Sequence, residues 1–381
     1  MYNGDVTALA PQESAKHHGG IVESITDMTT PLADAIPLFK AFLQDDQQAR
    51  QVLVHDVDAD GSAAGALLEV ALLRLGHRHV VRFLPDRSRN VWSSEVRARL
   101  AELHPERLFI LDLGVRSEPV LPGIPTCYID HHAIDGPLPH GTVISSYHWR
   151  PIPNTSVLVW QLCRALTDIT DRNWLAVVGA ISDMCEQDFP ELLSMVKADY
   201  PLSVLRDVVS LVNAGRRISS DLARLAGDLL VTHADPSILL QSAGADRLRA
   251  ARRTVNHALM DAKRAAPIFA GRVALLRIRS PYQLHPLITQ IWRTRLPHYI
   301  VISANEAYLP GRVNFSVRGP ENVNLREFLK SVPFDPGGEE YARGHDAACG
   351  GSLPIGTWNQ FLTALGFPST VLMHDSGGIA S

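Results

Sequence analysis

Gln51-Val52-Leu53-Val54-His55 runs directly into Asp56-Val57-Asp58-Ala59-Asp60-Gly61, and the stretch Ser62 to Leu75 (SAAGALLEVALLRL) follows. The first five residues read as a short apolar strand. The last stretch carries small and apolar residues at helical spacing, which predicts a helix after the aspartate turn. Strand, acidic turn and helix in succession open an α/β unit, and open α/β sheets gather ligands outside the carboxyl ends of their strands. Three further stretches repeat the theme: Leu111-Asp112-Leu113-Gly114 after Leu108-Phe109-Ile110, Ile129-Asp130-His131-His132 after Cys127-Tyr128, and Ala180-Ile181-Ser182-Asp183. Hard carboxylates with one or two imidazoles suit Mn²⁺ or Mg²⁺ better than a thiolate-seeking metal. Two such ions side by side would make a site for cleaving phosphate esters.

The spacing Asp56-x-Asp58-x-Asp60-Gly61 also opens a calcium-binding helix–loop–helix loop. That loop needs a bidentate acidic residue at its twelfth position, where this chain has Leu67, and a strand rather than a helix precedes it. An acidic surface turn would leave the other three clusters unexplained. Gly61, Ser62, Ala63, Ala64 and Gly65 let a helix N-terminus approach the site closely, an arrangement that favours anions such as phosphate. Asp112 sits where a bridging carboxylate would be useful, and Gly179 and Ala180 allow close packing beside Asp183. Neighbouring side chains of an extended chain point opposite ways. One of His131 and His132 is therefore expected on a metal and the other toward substrate.

Residues 51 to about 185 alternate between strand-like and helix-like runs. Strands are expected at Gln51 to His55, Val80 to Leu84, Arg107 to Asp112 and Thr126 to Asp130. Helices are expected at Ser62 to Leu75, Ser93 to Leu103, Ser156 to Leu166 and Asn173 to Met184. Such alternation implies βαβ units and a mainly parallel sheet. From Pro190 to about Met260 the pattern is almost wholly helical; its arginines (Arg247, Arg249, Arg252, Arg253) read as a solvated helix face. After Pro267 strands return at Arg272 to Ile278, His298 to Ser303 and Val313 to Arg318. Helices are expected there at Leu284 to Arg293, Leu325 to Lys330 and Thr357 to Leu365, with a Gly-rich segment from Arg343 to Gly351. The expected organisation is an α/β protein: a lead-in over 1–50, a parallel-sheet catalytic domain over 51–190, a helical subdomain and connector over 191–265, a smaller C-terminal α/β domain over 266–370, and a tail over 371–381 with disorder expected from Ser376.

At 381 residues the chain exceeds one typical domain. Its hydrophobic fraction of 46% and charged fraction of 20% are those of a soluble globular protein. No run approaches the length of a membrane helix, and the N-terminus lacks the apolar core of a secretory signal. Four scattered cysteines (Cys127, Cys163, Cys185, Cys349) form no zinc or disulfide framework, so they read as small buried hydrophobes in a reducing cytoplasm. A net charge of −4 argues against non-specific coating of long nucleic acid and is compatible with a compact site for a short or terminal nucleotide.

With the four motifs in order, the chain resembles the DHH phosphoesterase superfamily, whose defining triplet is here Asp130-His131-His132. Its Asp-x-Asp-x-Asp-Gly motif is similar to that of RecJ-type exonucleases. The branch acting on short oligonucleotides usually has histidine four residues before Asp58, where this chain has Val54. Asn213-Ala214-Gly215-Arg216 also resembles a segment of RecJ-like proteins. Gly344-His345-x-Ala347-Ala348-x-Gly350-Gly351, with Val313-x-Phe315-Ser316-x-Arg318 upstream, resembles the substrate-binding domain that accompanies DHH domains.

The resemblance implies a phosphodiesterase with two divalent ions, Mn²⁺ first and Mg²⁺ second, working in a cleft between two domains. By motif, Asp58, Asp60, Asp112, His131 and Asp183 would hold the metals. Asp56 would support them or a nearby water, and His132 would contact the scissile phosphate. Arg318 and His345, with the Gly344 backbone, would grip a substrate phosphate or terminal base, Arg318 also stabilising transition-state charge. The chain departs from the family pattern at Arg343-Gly344, where a glycine pair is usual, and at Pro85 to Trp92, which lacks the usual Gly-Tyr-Gly. It also leaves no room after about residue 355 for an added nucleic-acid-binding barrel, so cleavage is expected more than processive digestion.

The expected function is release of nucleoside monophosphates from ends of single-stranded DNA or RNA. The alternatives are hydrolysis of very short oligonucleotides or cyclic dinucleotides, and a nuclease-derived binding or scaffold protein. A family-II pyrophosphatase shares the catalytic motifs, but the basic motif of its second domain is missing here.

Overall fold

The computed structural model describes residues 31–373, apart from 44, 45, 88, 89 and 135. The expected tail after Ser376 lies outside the described residues. Five strands, β1 (Gln51–His55), β2 (Val80–Phe83), β3 (Arg107–Leu111), β4 (Thr126–Asp130) and β5 (Thr142–Ser145), form one sheet in the order β2-β1-β3-β4-β5. Every pairing in it is parallel. The three central strands are buried at every position, as parallel strands covered on both faces must be. Their carboxyl ends deliver Asp56, Asp112 and Asp130 to one edge.

Helix α1 (Leu32–Leu43) lies inside the stretch read as a lead-in. Its Ala35, Phe39 and Leu43 recur every four residues and join the main core, with Phe39 and Phe42 edge-on to Phe109. The helices α2 (Ala59–Arg74), α4 (Thr155–Arg164) and α5 (Asn173–Ser182) pack on that same core, while α3 (Ser94–Ala101) covers Val52, Val54, Leu108 and Ile110 on the opposite face.

The helical stretch is continuous: α6 (Pro190–Asp199), α7 (Leu202–Ile218), α8 (Ser220–Thr232), α9 (Pro236–Leu240) and α10 (Ala243–Ala262). Leu205, Val208 and Leu211 of α7 and Leu230 of α8 belong to the first core, so this part packs directly on the parallel-sheet unit. Along α10, Ala245, Leu248, Ala251 and Val255 are buried while Arg247 and Arg253 are exposed. Arg249 pairs with Asp246 and Arg252 with Asp207, the pattern of a solvated face.

The C-terminal unit comprises β6 (Ile268–Ala270), β7 (Val273–Ile278), α11 (His285–Arg295), β8 (Ile300–Asn305), β9 (Arg312–Arg318), α12 (Leu325–Lys330), β10 (Glu340–His345), β11 (Ala348–Pro354) and α13 (Ile355–Ala364). Its six-stranded sheet runs β10-β11-β9-β8-β7-β6, and only β7 with β8 is parallel. A separate core of Phe315, Leu325, Trp358 and Phe361 holds it together. The Gly-rich segment is a hairpin here, with Gly344 opposite Cys349 and His345 opposite Ala348. A Cβ on Gly350 or Gly351 would fall 2.5 Å from the carbonyl oxygen of Phe315 or Glu340, so close backbone approach demands glycine.

Cys127, Cys163 and Cys349 are buried and Cys185 partly so, all as free thiols. Among the described residues, no helix is long and apolar enough to cross a membrane.

Candidate active site

The aspartate turn is built by the end of β1 and the start of α2. The Asp56 amide donates to the Leu111 carbonyl (3.1 Å), which ties the turn to β3. Asp58 caps α2, its carboxylate accepting from the Gly61 amide at 3.1 Å. A side chain at Gly61 would collide with the Asp56 backbone, its Cβ 2.5 Å from the carbonyl oxygen. Behind the turn, His55 places Nδ1 2.6 Å from that oxygen. Burial, with Arg82 acting the same way, lowers the His55 pKa to about 4. The imidazole is therefore neutral and donates from Nδ1 to fix the turn.

Asp112 sits one residue past β3 with φ of 61°, a left-handed conformation that non-glycine residues adopt at a cost and that gathers at functional sites. The Thr155 hydroxyl donates to its Oδ1 at 3.0 Å. Asp130, which sequence reasoning left without a role, is the clamp of this region. It is 1% exposed and accepts from the Gly114 amide (2.6 Å), the His132 amide (2.6 Å) and His132 Nδ1 (2.7 Å). Burial opposes its ionisation, yet His132 and His131 hold its carboxyl well below the usual range. For His132 the balance runs the other way: burial disfavours the cation, but Asp130 and Asp112 leave its pKa raised.

Asp60 lies in the first turn of α2 and aims at the start of α4. Its two carboxylate oxygens accept from the Thr155 amide (2.9 Å) and the Ser156 amide (2.8 Å). Asn154 caps α4, and its Nδ2 donates to Asp183 Oδ2 at 3.2 Å. Gly179 of α5 admits this packing, because a Cβ there would sit 2.6 Å from Asp60 Oδ1. The Asn154-Thr155-Ser156 run before an apolar helix is a recognisable N-cap signature, but its ties to two acidic clusters are visible only in three dimensions.

His131 Nε2 is the meeting point: 3.3 Å from Asp112 Oδ1, 3.8 Å from Asp183 Oδ2 and 3.9 Å from Asp60 Oδ2. Asp60, His131 and Asp183 offer ligand atoms within 4.8 Å of one another, and so do Asp56, Asp58 and Asp112. Burial raises the pKa of Asp60, and of Asp112 and Asp183 well above the carboxylate range, with the neighbouring aspartates adding to it. Among the described residues no lysine or arginine pairs with these three. Buried, mutually repelling carboxylates need a cation, and an oxygen-rich set with one imidazole fits a hard divalent ion.

The C-terminal unit supplies the facing wall. His345 stacks on His132 at 4.6 Å between ring centroids and 20° between planes, and its ring lies 5.0 Å from that of His131. Burial, then the charges of His132 and His131, lowers its pKa to about 3, so it faces the cleft as a neutral imidazole. Gly344 beside it has φ of 113°. Arg318 ends β9 and donates to the Val317 carbonyl (3.0 Å) and Ser316 Oγ (3.3 Å), with no carboxylate partner among the described residues. Arg343, where a glycine was usual, is 3.4 Å from Glu340.

Between the walls lies a cleft of about 410 Å³. Of the ten residues singled out by sequence, Asp56, Asp58, Asp112, His131, His132, Asp183, Arg318, Gly344 and His345 line it, and Asp60 lies just beneath. Arg87, Arg216 and Arg326 also line it. Arg216 closes the Asn213-to-Arg216 segment, donates to Gln283 Oε1 at 3.2 Å and stands 3.9 Å from Asp58 Oδ2.

No family model matches the chain. The single-stranded-DNA-specific exonuclease RecJ of Dickeya dadantii (strain 3937) is 27% identical over 223 residues, 54% of this chain and 35% of that protein. The fold matches RecJ in complex with Mn²⁺ from Thermus thermophilus at a TM-score of 0.67 and 20% identity, covering 88% of this chain and 54% of that one. The chain is similar to RecJ in sequence over about half its length and shares the RecJ fold. An exonuclease RecJ bound to manganese matches at a TM-score of 0.63 and 22% identity, covering 90% of this RecJ-like chain and 96% of that structure. The chain thus spans about a third of the Dickeya protein and about half of the Thermus one.

Proposed function

We propose that this RecJ-like chain is a phosphodiesterase that uses two divalent ions, Mn²⁺ by preference and Mg²⁺ second, to release nucleoside monophosphates from the ends of single-stranded DNA or RNA. One observation carries the reading: two adjoining groups of buried and part-buried ligands converge from four distant motifs and face a wall of arginine and histidine. In this reading residues 51–190 form the catalytic domain, 191–265 the connector and 266–370 the substrate-binding domain.

Asp60, His131 and Asp183 would hold one ion, and Asp56, Asp58 and Asp112 the other. Asp112, whose Oδ1 is 3.3 Å from His131 Nε2, stands where one carboxylate can serve both. Such ions, when bound, polarise a phosphodiester and lower the pKa of an attacking water. The protein's own part begins with His132. Held through Nδ1 by Asp130, it keeps Nε2 for a phosphate oxygen. Arg318, with no competing carboxylate among the described residues, grips the phosphate and offsets the charge that develops in the transition state. His345, neutral and stacked on His132, orients that imidazole and narrows the cleft. Asp56, besides facing the second ion, ties the turn to β3 through its amide.

The test is release of mononucleotides from labelled DNA and RNA of 2, 5 and 30 nucleotides, with Mn²⁺ and with chelator, against an Asp183→Ala control. Metal-dependent release at all lengths is expected. Release from the shortest alone would move the function to oligonucleotide or dinucleotide hydrolysis. No release from any, with retained binding, would make the chain a nuclease-derived binding protein.

A further inference from the structure

Beside the main cleft the structure holds a second cavity, of about 180 Å³, that none of the motifs predicts. It is lined by Ala133, Ile134, Ser145, Tyr147, His148 and Arg326. Two of these also line the main cleft: Ala133, which directly follows His132, and Arg326. The side pocket therefore opens one residue from the group assigned to the scissile phosphate.

Its chemistry differs from that of the cleft. Tyr147 and His148 form an edge-to-face pair at 4.6 Å between ring centroids, and Ile134 is apolar. Ser145 is buried, its hydroxyl oxygen accepting from the Tyr147 amide at 3.3 Å. Arg326 comes from α12 across the cleft, its side chain only 11% exposed and 3.9 Å from Asp346. An aromatic pair, an apolar wall and a guanidinium in a cavity this small suit a flat heteroaromatic ring, which stacks on aromatic and guanidinium faces alike.

Position in the fold gives direction. Tyr147 follows β5, at one edge of the parallel sheet, whereas Arg87 follows β2, at the other. On that far side Arg87 stacks over Tyr308 at 4.2 Å, and Arg87 and Arg216 line the cleft. Paired guanidiniums suit a run of phosphates, while the β5 side offers space for a single ring.

We propose that the Tyr147–His148–Arg326 pocket receives the nucleobase of the terminal nucleotide that is released, the rest of the strand leaving past Arg216 and Arg87. The proposal rests on the phosphodiesterase reading and adds the subsite that makes cleavage terminal and one nucleotide at a time.

The test compares wild type, Tyr147→Ala and Tyr147→Phe on a single-stranded pentanucleotide and on versions with an abasic terminal or abasic second nucleotide. Tyr147→Ala should raise KM for the intact substrate about tenfold, in line with the ~1–3 kcal/mol typical of one stacked base, with kcat little changed. Tyr147→Phe should restore the wild-type KM. With an abasic released nucleotide, wild type and Tyr147→Ala should become indistinguishable. A KM within twofold of wild type, an equal loss on the abasic-terminal substrate, or an effect that vanishes only with the second base removed would each overturn the proposal. The same comparisons, read as Kd by fluorescence anisotropy with the abasic position at each end in turn, test the pocket without cleavage. Absence of any hydrolysis by wild type would count against the phosphodiesterase reading alone.

Discussion

Asp130→Asn is nearly isosteric, and its effect can be worked from three contacts. The carboxylate accepts from the Gly114 amide (2.6 Å), the His132 amide (2.6 Å) and His132 Nδ1 (2.7 Å), the last two at one oxygen. A carboxamide can keep its oxygen on the His132 side, but both bonds drop from charge-assisted to neutral strength, a loss of about 1 kcal/mol each. The NH₂ then meets the Gly114 N–H donor to donor, leaving that part-buried amide without an acceptor at a cost of about 1 kcal/mol or more. The expected destabilisation is therefore about 3 kcal/mol, at roughly 2–4 °C of melting temperature per kcal/mol in a domain of some 150–250 residues. The turn from Asp112 (φ 61°) to Gly114 (φ 80°) also loses its anchor, and His132 its orientation. Partners that hold ligands in place typically cost about 10–100-fold in metal affinity or activity when removed. Thermal melting and steady-state kinetics with Mn²⁺ check this. A variant within about 0.5 kcal/mol of wild type and with wild-type kcat would refute the clamp assigned to Asp130.

Gly179→Ala should lower stability by about 1–3 kcal/mol through overpacking and weaken Mn²⁺ binding, since the new Cβ would lie 2.6 Å from Asp60 Oδ1; unchanged melting and titration curves would contradict the close packing of α4 against α5. Arg318→Gln should raise KM and lower kcat while leaving Mn²⁺ affinity intact, and a purely folding effect, seen as a lowered melting temperature with normal KM, would remove Arg318 from the site. Apparent Mn²⁺ affinity should climb from pH 5 to pH 7.5, with proton release on binding, because Asp60, Asp112 and Asp183 titrate above ordinary carboxylates. The signs need care. In the metal-free chain, stability from these three is present at low pH and drains away as pH rises through their raised values. His55 and His345, with lowered values of about 4 and 3, contribute stability that is lost as pH falls below 6.5. Titration of the ion itself therefore isolates the carboxylates better than melting does, and a flat affinity across this window would count against them as ligands.

The parallel sheet was legible because each central strand is a run of apolar residues ending at an aspartate, and burial on both faces leaves no polar alternation to confuse the pattern. Helix α1 escaped notice because Pro37 interrupts its sequence. The four residues of β5 were too few to declare a period. The β10–β11 hairpin stood out only as a Gly-rich segment with no strand assigned, since glycine is poor in strands unless another backbone lies close, which is the case at Gly350 and Gly351. At the site, motif spacing marked the acidic groups but not the residues that hold them. Asp130, Asn154 and Thr155 act by donating or accepting across the gaps between elements, and no linear pattern encodes that. The Tyr147 pocket is of the same kind, because Arg326 reaches it from the other unit.

Anomalous diffraction at the manganese edge, from crystals grown with Mn²⁺, tests the metal assignment most directly. Two peaks are predicted, one among Asp60, His131 and Asp183 and the other among Asp56, Asp58 and Asp112. A cleft without a peak, or a lone ion held by His131, His132 and His345 instead, would contradict it.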